Sequence, residues 1–430
     1  MGYRKNASTL SATEKANFVA AVHDLKNTTL QGHALSMYDE FVAEHLSVCY
    51  IAYGPAAGTN GAHGGPAFCP WHREFICRFE KALQSFDPSV SLPYWNWNSG
   101  NAPDTAAVFA DDFLGGAGTG PGGAVQTGPF TVANGWKIHT ALTPKGMGNA
   151  LTRNPTLDPS TLPATAANNA LNDTNYNIFQ PDLEDNSHNE VHVWVGGNMD
   201  YMTSPNDPVF FLHHANVDRL WAVWQEKYPG AANYDTPTAY GPYGHKIDDR
   251  MWPWDGGLNN GGSSPGWITG MMDCPDEDIR PYLPTFGAMD IVTPRMVVDH
   301  AATCGRYDTD PPKLKDIIKS ETKEIIKLET KEFIKAESKD FSKAEVKELK
   351  EKDLFDGPGK NWFKEFKELK EKDKDIFEGP IWQRPGDSTL GDLAQRITVI
   401  EAQLGHAFIA AEERPPVGRR ITKGTGEKVE

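Results

Sequence analysis

The sequence predicts a mainly α-helical fold: a four-helix-bundle core that houses a dinuclear metal site among long loops, followed by a helical C-terminal extension. Three observations carry this. Three helix-periodic segments each turn a histidine toward their apolar face. A fourth carries two histidines four residues apart. Near Pro311-Pro312 the composition changes from Gly, Pro, Asn, Trp and Tyr to Lys and Glu.

The 430 residues are enough for two or three domains with a buried core. A net charge of -16 argues against nucleic acid as a partner, because phosphate backbones are held by basic surfaces. No apolar run approaches the roughly 20 residues that cross a bilayer, and the first ten residues, MGYRKNASTL, lack the apolar stretch of a signal peptide. A cytoplasmic protein is expected, with partner-assisted secretion as the other route. The five cysteines, Cys49, Cys69, Cys77, Cys274 and Cys304, are odd in number and irregularly spaced, and read as mostly buried thiols in a reducing compartment.

The first predicted helix follows Ser36, which forms a capping box with Asp39; Tyr38, Phe41, Val42, His45 and Cys49 share one face. The second is expected to start at Pro70, with His72, Ile76, Phe79 and Leu83 inward. Between them His63 lies in the glycine-rich loop GAHGGPAF. In SPNDPVFFLHHANVDRLWAVWQ, Asn206 or Asp207 caps a helix with Pro208 in its first turn. Its inward stripe includes either His214 or His213, and the pattern alone leaves both open.

HNEVHVWVGG, residues 188 to 197, reads equally as an alternating strand or as a short helix ended by glycine. In a strand His188 and His192 would be roughly 13 Å apart; one helical turn brings them to about 6 Å, close enough for one metal. Three histidines in each half, on inward faces, then point to two metals in a helical bundle. Neutral imidazoles suit copper, zinc, iron or nickel, and the repeated Glu-x-x-His pairs of carboxylate-bridged bundles are missing. An all-imidazole set adds no negative charge, which favours Cu(I) and oxygen chemistry, although three histidines and water also make a hydrolytic zinc site.

The pieces YDEFVAEH, HGGPAFCPWHREF, LPYWNWN, LEDNSHNEVHVWVGG and SPNDPVFFLHHANVDRLW resemble, in order and spacing, the tyrosinase family of type 3 copper proteins, in the style of Streptomyces tyrosinases. The resemblance covers roughly residues 1 to 308. It implies two copper ions, one on His45, His63 and His72, the other on His188, His192 and His214, with His213 behind them and Asp218 orienting a ligand. It implies hydroxylation of monophenols to catechols and oxidation of catechols to o-quinones with O2. Glu184 and Asn189 match the positions proposed to hold a proton-accepting water, Phe210 an apolar wall, and Thr203 a small residue bordering an open entrance. Val193 stands where some relatives carry Arg, so a cationic group for a substrate carboxylate is missing there and a neutral phenol is expected to serve as well as free tyrosine. Gly61, two residues before His63, leaves no cysteine there for the thioether that some relatives form. The alternatives on the same ligands are a catechol or o-aminophenol oxidase and a haemocyanin-like oxygen carrier. A separate copper-delivery partner is also expected.

Four units are expected along the chain: a catalytic domain over 1–310, a Lys/Glu-rich helical extension over 311–384, a short heptad helix over 385–414 and a disordered end over 415–430. The extension repeats IKSETKEI, IKLETKEF, IKAESKDF and SKAEVKEL; eight residues advance a helix about 80° beyond two turns, so no single apolar stripe forms. Leu390, Leu393, Ile397, Ile400 and Leu404 form a heptad seam suited to self-association or docking. Trp362, Phe363 and Phe366, or Ile381-Trp382, are candidates for contacting the catalytic domain.

Overall fold

Within the described residues, the helices expected around His45, His72 and His214 form. In the computed structural model the described residues are 3–52, 60–228, 244–257, 266–267, 279–303 and 305–310. Contacts divide the chain into two units, Met1–Asp310 and Pro311–Glu430. All expectations for the extension, the heptad helix and the tail lie outside the described residues.

Helix α1 (Ala12–Asn27) was not singled out by the sequence reading, although Ser11 and Glu14 make a full capping box and Phe18, Ala21, Val22 and Leu25 are buried. Helix α2 (Met37–Tyr50) starts as expected, with Ser36 Oγ accepting the Asp39 N–H at 3.1 Å. Helix α3 (Phe68–Phe86) begins two residues before Pro70, a small correction with a local cause: the Gly65 carbonyl accepts the Phe68 N–H, so the chain is already turning there. Short helices α4 (Ala102–Val108) and α5 (Ala164–Ala170) sit in long glycine-rich and asparagine-rich loops. Helix α6 (Tyr176–Leu183) runs through a wide π turn, Glu184–His188, into α7 (Asn189–Val195). Helix α8 (Val209–Lys227) follows, and α9 (Pro294–Val297) and α10 (His300–Thr303) are single turns near the end of this unit.

Helices α2, α3 and α8 meet in an aromatic core. Phe41 of α2 lies edge-on to Phe75 and Phe79 of α3 at 5.6 and 5.3 Å, and Phe79 stacks on Phe211 of α8. Phe179 of α6 stacks on Trp224 of α8 at 4.8 Å, which brings the π turn and α7 against the same bundle. Trp71, Trp95, Trp97, Trp136, Trp221, Trp224 and Trp254 are fully buried, and removing indole surface from water is the largest per-residue gain available to a core.

The two ends of the Met1–Asp310 unit close this core. Strand β1 (Tyr3–Arg4) pairs in parallel with a later strand, Arg306–Tyr307. Beneath it Arg4 donates to Glu80 at 2.7 Å and Tyr307 donates to Asp218 at 2.6 Å. The reading of the cysteines as thiols is corrected at Cys77, which is disulfide-bonded, and holds at Cys49 and Cys69, which form no disulfide. Spacing alone could not reveal a bond set by tertiary approach. No described helix is long and apolar enough to cross a membrane.

Candidate metal centre

Helices α2 and α3 bring His45 and His72 inward, and the loop between them supplies His63. His45 Nδ1 donates to the Met202 carbonyl at 2.8 Å and His72 Nδ1 to the Phe68 carbonyl at 2.9 Å. With Nδ1 donating, each neutral ring presents the Nε2 lone pair, and both Nε2 atoms are buried without a protein partner. The His63 ring lies 5.1 Å from that of His45 and 4.8 Å from that of His72. Its loop is shaped by Asn60, whose Oδ1 accepts the N–H groups of Ala62 and His63 at 2.8 and 3.0 Å, and by Gly64 at φ +67°.

The second group resolves the ambiguity of HNEVHVWVGG in favour of helix. Asn175 caps α6, Pro181 lies within it, and the π turn re-aims the chain before α7, which stops at Gly196. At Gly196 φ is +66°, and a Cβ would meet the Asn154 side chain at 2.4 Å. His192 Nδ1 donates to the Met199 carbonyl at 2.7 Å, and His188 Nδ1 to Asn189 Oδ1 at 3.0 Å. Their Nε2 atoms are 3.1 Å apart, and His188 Nε2 is 3.3 Å from His214 Nε2. Two lone pairs facing each other with no hydrogen between them repel. Nitrogens about 2.0 Å from one tetrahedral metal lie about 3.3 Å apart, so the spacing is that of ligands to a shared cation.

Ligand atoms fall within 4.8 Å of one another in each of two groups, one of His45, His63 and His72, the other of His188, His192, His213 and His214. His72 stacks on His214 at 4.2 Å, so the groups adjoin. Burial, followed by the neighbouring rings, holds His63, His72, His188, His213 and His214 well below the usual histidine range. Burial lowers His45 to about 3 and His192 to about 4. Neutral, preoriented imidazoles need lose no proton to bind a metal, and the donor set fits two copper ions.

The remaining predicted residues fall variously. Phe210 lies among the rings of His45, His214 and His192 at 5.0, 4.1 and 6.0 Å. His213 stacks on His188 at 5.1 Å and lies edge-on to His192, with both ring nitrogens buried. Glu184 is buried: Oε1 accepts the Gly64 N–H at 2.8 Å and Oε2 accepts from Gln180 at 2.5 Å. Burial pushes it up to about 8, partly offset by the Gly64 bond. Asn189 is exposed at the start of α7 and holds the His188 ring.

Two expectations are corrected. Asp218 orients no histidine; it accepts from Arg73 at 2.5 Å and from Arg4 and Tyr307, tying α8 to α3 and to both ends of the Met1–Asp310 unit. Thr203 is 0 % exposed, so its side chain borders no solvent-open entrance. Val193, by contrast, is 59 % exposed next to His192. Sequence reading missed Asn60 and Gln180, which act through neighbours rather than through any motif. It also missed Cys49, whose Sγ lies 3.4 Å from His63 Nδ1. Cys49 is four residues after His45, so the turn of α2 that aims one histidine also brings this sulfur to the other.

Two adjacent clusters of inward imidazoles on a helical bundle define a protein with a dinuclear metal centre. Residues 35–227 match the common central domain of tyrosinase. Over 268 residues the chain is 42% identical to a tyrosinase of Streptomyces glaucescens, spanning 59% of this chain and 93% of that protein. It is 33% identical over 294 residues to grixazone synthase of Streptomyces griseus, spanning 58% and 92%. A polyphenol oxidase structure from Thermothelomyces thermophila aligns over 71% of this chain and 88% of its own, at 23% identity and a TM-score of 0.48. The chain belongs to the tyrosinase family.

Proposed function

We propose that this protein hydroxylates monophenols to catechols and oxidises catechols to o-quinones with O2. One copper is held by His45, His63 and His72, the other by His188, His192 and His214. Copper, when bound, supplies the activation of O2 and the electron transfer. The chain's own residues orient the substrate ring, exclude bulk water and move the phenol proton.

The observation that carries this reading is Glu184, a buried carboxyl that accepts from Gly64, next to His63, and opens the π turn that bears His188. In the apoprotein burial raises it to about 8, so it holds a proton more firmly than an ordinary carboxylate does and is suited to take one from a phenol. Gly64 and Gln180 fix its two oxygens, and Asn189 keeps the ring of His188 in the tautomer that leaves Nε2 free. Phe210 supplies an apolar wall. The exposed aliphatic Val193 favours a neutral phenol over an amino acid. The two Streptomyces relatives covered over 93% and 92% of their lengths are named as a tyrosinase and a synthase, which favours turnover over reversible oxygen carriage.

A copper-delivery partner and self-association through the heptad segment remain part of the proposal. Of the two expected locations, the disulfide at Cys77 supports export, since such bonds persist in oxidising compartments. The test is copper-loaded protein, with metal quantified, assayed for O2 uptake and quinone formation on tyrosine, a neutral monophenol, a catechol and an o-aminophenol. Hydroxylation of the neutral monophenol is expected. Turnover of catechol or aminophenol alone would remove the role given to Glu184.

A further inference from the structure

Of the six proposed ligands, five are fixed by helical turns: His45 on α2, His72 on α3, His188 in the π turn, His192 on α7 and His214 on α8. His63 alone comes from a loop, so something outside helix geometry must set its place. Asn60 does so locally, since its side chain gathers the N–H groups of Ala62 and His63. The Asn60 carbonyl is in turn held by His245, whose Nε2 lies 3.1 Å away. As the carbonyl can only accept, Nε2 of His245 carries the hydrogen.

His245 is itself well anchored. It is 1 % exposed. Gly244, at φ +90°, packs so closely that a Cβ would meet Met251 at 2.8 Å and Ala67 at 3.5 Å, and Ala67 directly precedes α3. A few residues on, the Trp252 carbonyl accepts from Trp71 Nε1 at 2.6 Å, one residue before His72. The Met251 N–H donates to Val292, and the Val292 N–H to Trp254. The 244–254 segment is thus docked on the start of the helix that bears His72, and it reaches across to the loop that bears His63.

We propose that His245 is a positioning residue of the first copper site: through Asn60 it sets the backbone of His63 and so the affinity of the site formed with His45 and His72. The proposal rests on the assignment of His63 as a copper ligand. Nothing in the ligand pattern points to His245, because it lies 185 residues from Asn60 and acts through one hydrogen bond to the backbone.

The test compares full-length wild-type protein with His245→Phe, which keeps a ring and loses the donor, and His245→Gln, which keeps a donor at a similar reach. Copper per chain after dialysis against a graded chelator, and the paramagnetic signal of an uncoupled Cu(II), are read without any substrate. His245→Phe is expected to weaken retention of one copper by about 10- to 100-fold and to expose a mononuclear signal. His245→Gln should recover most of the loss. Wild-type retention of both coppers by His245→Phe would overturn the proposal.

His63→Ala is measured alongside. If it too keeps two coppers, the ligand assignment is what fails; if it loses one while His245→Phe does not, only the positioning role fails. Apoprotein melting reports folding. Should His245→Phe not fold, His245→Asn, whose donor is too short to reach the Asn60 carbonyl, tests the same bond: loss of one copper supports the proposal, and full retention refutes it.

Discussion

Glu184 is the residue on which the proposed chemistry turns, and it can be separated from the metals. Glu184→Gln keeps the shape and a partner for Gly64 but removes the base. Monophenol hydroxylation should fall by about 10²- to 10⁴-fold, while catechol oxidation, which starts from a more acidic substrate, falls far less. The ratio of the two rates at equal copper content is the measurement. Asn189→Ala should lower both activities, because it frees the His188 ring that serves either reaction. The histidines make a second prediction. Burial lowers His45 to about 3 and His192 to about 4, below the ordinary value of 6.5. Groups depressed in this way contribute stability above pH 6.5 that is lost as the pH falls toward the folded values. Apoprotein melting temperature should therefore hold above pH 7 and drop between pH 6.5 and about 4, and copper loading should move the drop to lower pH.

Among the elements, the start of α8 carries the heaviest electrostatic burden. Asp207 accepts the Val209 N–H at 3.0 Å and so caps the helix, while both its oxygens hold Arg153 at 2.7 and 2.9 Å. Neither side chain of the pair is exposed, and Arg153 also donates to the carbonyls of Leu114, Gly115 and Gly116. Asp207→Ala removes the cap and strands a buried cation, so a loss of about 3–5 kcal/mol is expected in denaturant unfolding of the apoprotein. Gly196→Ala acts more locally. The new Cβ would collide with Asn154, which donates to the Val193 and Trp194 carbonyls, and the end of α7 would shift. Copper retention at the second group, read by chelator competition, should fall more than the melting temperature does.

For the Met1–Asp310 unit as a whole, the decisive feature is closure of its termini over the helices that carry the histidines. Arg4, Arg73, Glu80, Asp218 and Tyr307 form one buried network, and Asp310 completes it by accepting from His300 at 2.8 Å and from the Tyr307 N–H at 3.0 Å. A chain ended just after Asp310 should unfold cooperatively and retain two coppers. One ended before Arg306 should lose both properties, since it leaves Arg4 and Asp218 buried without Tyr307. Calorimetry and metal content of the two truncations distinguish these outcomes.

How much of this was legible depends on how each residue acts. His45, His72 and the His213/His214 pair could be read because a ligand on a helix shares the stripe of apolar residues that faces the core, and that stripe repeats along the sequence. His188 and His192 became legible once four-residue spacing was weighed against the needs of a metal. The resemblance supplied the choice of copper and the likeness of Glu184 and Asn189. Asp218 misled because one helical turn suggests nearness to His214, whereas a buried carboxylate seeks the nearest cation, and Arg73 lies across the interface on α3. Thr203 misled because a small side chain marks tight packing as readily as an opening. The sequence by itself determined the helical class, the two histidine groups and the family. Only the tertiary structure decided the disulfide at Cys77, the clasp of the termini, and the placement of His63 by Asn60 and His245. Those depend on individual side-chain contacts, most of them between residues distant in sequence, and such contacts leave no period in a sequence.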